Sequence, residues 1–218
     1  MTPEHPGASG RAAVLACLAD RILAIPARRV AVDGVDGAGK TVFAAALTRA
    51  LEARGATVVA VSVDDFHHRR GVRHRLGKDS PVGFWLDSYD YATFRSDVLD
   101  PLAPGGNGRC RTASHDLESD ELVAGGWVTA PPGGVLLVEG IFLHRDELID
   151  CWDFSIFLDV PFEVTARRMA DRDGSDPDPD QPSMRRYVEG QRIYLRECDP
   201  RARAAVVIDN TDPSVPVW

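Results

Sequence analysis

The stretch GVDGAGKT, residues 34–41, follows the apolar run RVAVD at residues 29–33. Valine and alanine without polar alternation are typical of a strand covered on both faces, so residues 29–33 are predicted to form a buried β-strand. Residues 40–54 are predicted to form a helix that Gly55 ends, since glycine favours the left-handed conformation found just after helices. The glycine-rich stretch therefore joins a buried strand to a helix.

This loop contains the residue types that a triphosphate site needs. Gly34, Gly39, Lys40 and Thr41 match the pattern GxxxxGK[ST] of the Walker A phosphate loop. Glycines let successive backbone N–H groups turn toward phosphate oxygens, and the helix start adds its positive dipole end. Lys40 can reach the β- and γ-phosphates, and the Thr41 hydroxyl can bind Mg²⁺. The alternative, an incidental glycine turn, would not require a position between a strand and a helix.

We therefore predict a site for ATP and Mg²⁺ in this loop. Its nucleotide-binding residues are predicted to be Gly34, Val35, Asp36, Gly37, Ala38, Gly39, Lys40, Thr41 and Val42. A GTP switch would carry NKxD and an ABC-type ATPase an LSGGQ-like signature, and the sequence has neither. The remaining features favour phosphoryl transfer to a small molecule.

The rest of the chain predicts one α/β domain over residues 1–218, with residues 1–10 frayed. Further strands are predicted at 57–64, 135–140, 154–160 and 204–209, and further helices at 11–25, 90–103, 161–172 and 183–197. Residues 104–134 are predicted to be irregular, because glycine and proline punctuate them. Strands that alternate with helices indicate a mainly parallel sheet. The expected fold is a three-layer α/β/α P-loop NTPase with a small helical lid at 161–197.

The composition of the chain limits the classes of binding partner and the cellular compartment that we expect. The 218 residues carry a net charge of −8, which argues against a nucleic-acid-binding face as the main feature. No apolar run reaches the length of a membrane span, so no membrane partner is expected. The four cysteines form no CxxC pair or disulfide framework, which favours the cytoplasm. Lys40 and Lys78 are the only lysines among 25 basic residues, so a lysine in the glycine loop is conspicuous.

Acidic residues lie at the carboxyl ends of two predicted strands. VSVDDFH, residues 61–67, places Asp64 and Asp65 at the edge where open α/β sheets bind ligands. A kinase for an alcohol needs a carboxylate that orients the hydroxyl and takes its proton, so Asp64 is the predicted base and Asp65 the reserve. Glu139, in LLVEG, is predicted to hold magnesium beside Thr41. The alternative is that these acids simply satisfy or cap the chain where they stand.

Arginines crowd the helix predicted at 161–172. Arg167, Arg168 and Arg172 lie in the stretch FEVTARRMADRDG. Arginine can stabilise charge on a phosphoryl group in transfer, and a lid that carries it can exclude water. Arg168 and Arg172 are therefore candidate catalytic residues. The alternative is a solvated helix face that pairs with neighbouring acids.

Together these motifs resemble the uridine kinase family of P-loop kinases, which groups with phosphoribulokinase and bacterial pantothenate kinase. The matching segments are GVDGAGKT, VDDFH, SYDYATF, VEGIF, the ARRMADRD helix and the closing AAVVIDN, which cover nearly all of the chain. The resemblance implies that Asp64 is the catalytic base, that Asp90 and His115 contact a nucleoside acceptor, and that Arg168 or Arg172 contacts phosphates. It also makes a homo-oligomer an expectation.

Two segments of the sequence leave the identity of the phosphoryl acceptor undecided. CRTASHD, residues 110–116, lacks the aromatic of the family's YDFxxHSR segment and places Arg111 where that segment has an acid. RRGVRHRLGKD, residues 69–79, is strongly basic and could bind an acidic or phosphorylated acceptor, or be a solvated loop. The predicted function is ATP-dependent phosphorylation of a nucleoside 5′-hydroxyl. The alternatives are pantothenate, a sugar or another acceptor, and a non-catalytic ATP sensor.

Overall fold

A computed structural model describes residues 10–26 and 28–218, so nearly all of the predicted frayed segment lies outside the described residues. Five parallel strands form the central sheet in the order β2–β3–β1–β4–β5. Their bounds are β1 Arg29–Gly34, β2 Val58–Ser62, β3 Val135–Gly140, β4 Phe154–Asp159 and β5 Val206–Asp209. This confirms the expected α/β fold with a parallel sheet, and it brings the carboxyl ends of β1, β2 and β3 to one edge.

Helices cover both faces of the sheet. Their bounds are α1 Arg11–Ala24, α2 Lys40–Glu52, α3 Arg70–Arg73, α4 Pro81–Asp87, α5 Tyr91–Phe94, α6 Phe162–Asp173, α7 Arg185–Cys198 and α8 Pro200–Arg203. Among the described residues, no helix has the length and hydropathy that crossing a bilayer requires. The three-layer arrangement follows from strand alternation. In β1, Val30 and Val32 join the core under α1 and α2, whereas Ala31 joins the core on the opposite face.

The strand predicted at 57–64 is shorter than expected. It ends at Ser62, and Val63–Phe66 form a single 3₁₀ turn. The Ser62 hydroxyl accepts a hydrogen bond from the Asp64 backbone N–H (3.3 Å), which lets the chain leave the sheet. Asp64 and Asp65 are therefore exposed on a turn at the sheet edge and not within the strand.

The segment predicted to be irregular contains short paired strands. Arg109–Arg111 pairs with Trp127–Thr129, and His115–Asp116 pairs with Glu121–Leu122, both antiparallel. Helix α4 was not predicted from the sequence. The residues predicted as one helix at 90–103 form α5, a π-helical turn and a 3₁₀ turn in succession.

The predicted lid comprises α6 and the helix that follows it, α7. Ala166 and Met169 of α6 pack against Met184 and Val188 in a small core of their own. The other side of α7 is held by the main core, where Tyr194 is fully buried. The lid is thus anchored to the sheet through α7.

Candidate active site

The glycine loop between β1 and α2 has the backbone shape that its sequence predicts. Gly37 and Gly39 have φ values of 75° and 90°, in the left-handed region that glycine favours. Lys40, the first residue of α2, is buried with 9% exposure, and its Nζ donates to the Val35 carbonyl oxygen (3.0 Å). The ammonium group is therefore held over the loop, where it can neutralise a phosphate.

Side chains from other elements fix this loop from outside. Gln191 of α7 accepts a hydrogen bond from the Asp36 backbone N–H (2.6 Å), and its Nε2 donates to the Asp36 carboxylate (3.2 Å). Asn210, just after β5, donates through Nδ2 to the Ala38 carbonyl oxygen (2.7 Å). Burial raises the pKa of Asp36, so the amide contact from Gln191 stabilises a carboxylate that water reaches poorly. Two side chains from the C-terminal part of the chain, one on α7 and one just after β5, thus hold the loop in shape.

Thr41 and Glu139 form a pair of oxygen ligands beside the loop. The Thr41 hydroxyl donates to Glu139 Oε1 (3.3 Å), as expected if both face one magnesium ion. Burial raises the pKa of Glu139, with Lys40 opposing the shift. A hydroxyl and one carboxylate suit Mg²⁺, which takes oxygen ligands and usually keeps several waters alongside phosphate oxygens. The two residues therefore fit the predicted magnesium role.

Asp64 projects from the turn after β2 toward the same space. Its Oδ1 accepts a hydrogen bond from the hydroxyl of Tyr89 (2.7 Å), a side chain that is 3% exposed. Burial is the main cause, and the charge of the nearby Asp64 the second, of a pKa for Tyr89 well above its usual value. The phenol therefore stays protonated and remains a hydrogen-bond donor. The reserve residue Asp65 also lies on the turn, and burial raises its pKa.

The two candidate arginines of α6 differ in how they are held. Arg168 donates to the backbone carbonyls of Asn210 (3.0 Å) and Thr211 (2.9 Å), and more weakly to Gly37. Arg172 is largely exposed, and within residues 10–26 and 28–218 it pairs only with the adjacent Asp173 (2.7 Å). Arg168 is thus fixed against the loop, whereas Arg172 is free to meet a phosphate.

These residues line a single cavity of about 520 Å³, which we call the loop cavity. Its wall is formed by Asp36, Gly37, Gly39, Lys40, Thr41, Val42, Asp64, Glu139, Arg168, Met169 and Arg172. All six predicted transfer and metal residues are among them. Gly34, Val35 and Ala38 are buried beneath the loop and contribute to its shape.

The two residues predicted to contact the acceptor lie elsewhere. Asp90 caps α5 through bonds to the Thr93 N–H (3.0 Å) and hydroxyl (2.8 Å), and it lines a second cavity of about 330 Å³, the side cavity. His115 is buried, does not line the side cavity, and faces Asp120 through Nε2 (3.1 Å). This geometry gives Asp90 access to an acceptor and places His115 behind the wall, so its contact with a base stays a prediction.

Two residues of the site were not predicted to act there. Tyr89 precedes Asp90 in SYDYATF. From the sequence, it could be interpreted only as an aromatic residue that lines a pocket or packs in the core. Gln191 stands on the apolar face of α7, where a buried amide at 1% exposure is itself a signal of a specific partner. Neither pairing could be found from sequence spacing, because Tyr89 is 25 residues from Asp64 and Gln191 is 155 from Asp36.

No protein-family model matches the chain. Solved structures of similar shape include one described as a possible uridine kinase from Bacillus stearothermophilus, at 23% identity and a TM-score of 0.70, covering 88% of this chain and 96% of that one. A protein described as a fructose transport system kinase from Silicibacter gives 24% identity and a TM-score of 0.66, with 88% and 98% covered. The D-glycerate 3-kinase of Cryptococcus neoformans gives 12% identity and 0.56, with 85% and 87% covered.

The chain shares the α/β fold of these solved structures, one of which is described as a possible uridine kinase. This confirms the resemblance drawn from the motifs at the level of the fold. At these sequence identities, similarity of fold does not indicate which substrate the protein uses. The chemistry available to the protein therefore depends on the side chains of its own site.

Proposed function

We propose that the protein is an ATP- and Mg²⁺-dependent kinase that transfers the γ-phosphoryl group to a hydroxyl of a small molecule. The observation that carries this proposal is the loop cavity, where Lys40, Thr41, Asp64, Glu139 and an arginine pair converge. A nucleotide-binding module without catalysis would not need an exposed carboxylate opposite the phosphate loop, held by a buried tyrosine.

The proposed transfer uses each residue in one role. Asp64 takes the proton of the acceptor hydroxyl, whose oxygen forms a bond to the γ-phosphorus. The bond from the γ-phosphorus to the bridging oxygen breaks, and ADP leaves with that electron pair. Lys40 and Arg172 stabilise the charge on the transferring group, and Arg168 holds the loop in position. Thr41 and Glu139 would hold magnesium, which would supply charge neutralisation on the phosphate oxygens.

The acceptor class has two candidates. A nucleoside 5′-hydroxyl is favoured by the motif resemblance and by the position of Asp90 in the side cavity. A non-nucleoside alcohol, such as pantothenate or a sugar, is favoured by the burial of His115 away from that cavity. Both require the same transfer chemistry. We further propose a cytoplasmic location, with which four free cysteines agree.

The test is ADP production by the purified protein with ATP and Mg²⁺ against nucleosides, pantothenate, sugars and hydroxy acids. A strong increase with one acceptor, lost on chelation of Mg²⁺, is the expected result. ATP bound with no acceptor-dependent turnover on any compound would overturn the kinase proposal and support the ATP sensor instead.

A further inference from the structure

The side cavity has basic side chains on its wall. It lies between the turn after β2, α5 and the short strand Arg109–Arg111. Two of its charged lining residues, Arg69 and Arg111, are positive, and one, Asp90, is negative. Among the described residues that line it, no Phe, Tyr or Trp is present. Such a wall suits an anion better than a flat uncharged ring.

Arg111 is held rigidly in this wall. Its side chain is 15% exposed, and Nη1 donates to the Asp97 carboxylate (3.1 Å). Nε makes a longer bond to the Gly125 carbonyl oxygen (3.4 Å). Within residues 10–26 and 28–218, Nη2 has no hydrogen-bond partner. A guanidinium positioned by two neighbours, with donors to spare, is preorganised to bind a carboxylate or phosphate.

Arg69 reaches the cavity from the basic segment at 69–79. Only its Nε is engaged, by the Asp120 carbonyl oxygen (3.3 Å), which leaves both terminal nitrogens without a partner in the described part of the chain. The rest of this basic segment is used differently. Arg75, for example, pairs with Asp87 (2.6 Å), and Arg70 lies outside the cavity wall. The basic segment therefore contributes one arginine to the side cavity.

The acids around the cavity each have a hydrogen-bond or ion-pair partner within the protein. Both oxygens of Asp90 accept bonds from Thr93, and Asp97 pairs with Arg111. Asp120 accepts the Arg70 backbone N–H (2.7 Å) and faces His115, and these contacts lower its pKa. In the described part of the chain, the terminal nitrogens of Arg69 and Nη2 of Arg111 are therefore the arginine donors of this wall that an incoming anion can use.

The side cavity is one side-chain layer from the proposed base. His67 lines it, and its Nδ1 contacts the Asp64 carbonyl oxygen (2.6 Å). The His67 ring packs against Tyr89, with centroids 4.4 Å apart, and Tyr89 donates to the Asp64 carboxylate. The side cavity therefore lies next to Asp64, with the His67 and Tyr89 rings between them.

We propose that the acceptor is an alcohol that also carries an anionic group, a carboxylate or a phosphate, which Arg69 and Arg111 bind in the side cavity. The acceptor's hydroxyl then lies at Asp64. This inference rests on the proposed kinase function and narrows its acceptor to the second of the two candidate classes.

The test compares matched acceptor pairs in the ADP assay. Glycerate is set against glycerol, and ribose 5-phosphate against ribose, with uridine as the neutral nucleoside. The anionic member of at least one pair is expected to have a kcat/KM roughly 10- to 100-fold above its neutral partner, as a charge-assisted bond predicts. The pair that responds distinguishes a carboxylate from a phosphate.

Arginine variants then test whether Arg69 and Arg111 bind the anionic group of the acceptor. Arg111→Gln and Arg69→Gln are expected to lower kcat/KM for the anionic acceptor by roughly 10-fold or more, through KM, with ATP affinity unchanged. Arg111→Lys should retain part of the activity, which separates a binding role from misfolding. The matched controls are Arg109→Gln, on the same strand, and Arg70→Gln, next to Arg69; neither lines the cavity, and both should stay within about two-fold of wild type.

Two results would overturn the inference in distinguishable ways. Equal or better turnover of uridine, ribose or glycerol would refute the anionic acceptor while leaving the kinase proposal standing. No turnover of any compound, with ATP still bound, would remove the kinase proposal and the acceptor inference together.

Discussion

At Asp64, one hydrogen bond decides which carboxylate oxygen is left for an acceptor. Tyr89 occupies Oδ1 from the buried side, so Oδ2 remains for the hydroxyl of the acceptor. A base that must take a proton benefits from such fixation, because a misplaced carboxylate loses rate steeply. Tyr89 is therefore a positioning residue, which acts through Asp64.

Tyr89→Phe is expected to lower kcat about 10-fold while leaving the KM for ATP unchanged, since it removes a hydrogen bond to a charged group and little volume. Steady-state kinetics with the best acceptor measure this. In an Asp64→Asn background the same change should have almost no further effect, because the bond it removes serves that carboxylate. Additive losses in the double variant would show that Tyr89 acts on packing alone.

Glu139 illustrates a cost in stability at a functional position. Because burial raises its pKa, the folded protein holds the ionised carboxylate less readily than the unfolded chain does. The penalty is present at neutral pH, above the folded pKa, and disappears below the ordinary glutamate value of about 4.3. Stability and magnesium binding thus make opposing demands on this residue.

Glu139→Gln is accordingly expected to leave the nucleotide-free protein as stable as wild type or more stable at pH 8, with the difference vanishing near pH 4. Mg²⁺-dependent transfer should fall by roughly 100-fold or more, since a metal ligand is lost. Denaturant unfolding at the two pH values and ADP assays measure both effects. A variant clearly less stable than wild type at pH 8 would contradict the account.

At the scale of elements, the phosphate loop and α6 are packed so closely that only glycine fits between them. A Cβ added at Gly37 would lie 2.6 Å from the Thr165 carbonyl oxygen, which belongs to the α6 backbone. Gly174, which ends α6, has almost the same φ, 76° against 75°, yet a Cβ there would meet nothing within 4 Å. Alanine substitution at both positions would cause the same backbone strain, but only at Gly37 would the added Cβ also meet a neighbouring element. Comparing the two variants therefore separates the effect of strain from the effect of contact.

Gly37→Ala should therefore lower the free energy of unfolding by about 1–2 kcal/mol more than Gly174→Ala does. It should also weaken ATP binding by roughly 10-fold or more, because the loop must move away from α6. Thermal unfolding and nucleotide titration of the two variants check this. Equal losses would mean that the loop does not depend on its contact with α6.

The sequence predicted the elements that local pattern determines and missed those that depend on distant partners. Apolar runs located all five sheet strands, and the motifs supplied ten of the eleven residues that line the loop cavity, all except Met169. The strands at 109–129 have only two or three residues each, so they exist through pairing across a loop that no local pattern reveals. Helix α4 did carry a signal, Ser80 followed by Pro81, which is a capping residue before a proline at the helix start.

At the scale of the whole molecule, a buried polar network ties the sheet to the lid. Asp33, at the end of β1, contacts His144 Nδ1 (2.6 Å) and accepts a hydrogen bond from the hydroxyl of Tyr194 on α7. The Tyr194 hydroxyl in turn accepts the His144 backbone N–H (3.1 Å). All three side chains are buried, and Asp33 immediately precedes the phosphate loop. The position of α7 is thus coupled to the start of that loop.

Tyr194→Phe is expected to lower the free energy of unfolding by about 1–3 kcal/mol, because it leaves a buried carboxylate and a buried N–H with fewer partners. Tyr187→Phe, an exposed tyrosine on the same helix, is the matched control and should change it by less than about 0.5 kcal/mol. Equal effects of the two changes in urea unfolding would show that the network does not hold α7.

The most direct test of the whole account is acceptor-dependent ADP production by wild type and Asp64→Asn, with ATP affinity measured in parallel. If Asp64 is the base of a kinase, transfer falls by roughly 10²- to 10⁴-fold while the Kd for ATP stays within about two-fold. A wild-type rate in Asp64→Asn would contradict this and move the base role to Asp65. Acceptor-dependent turnover that is absent from wild type as well would contradict the kinase function itself.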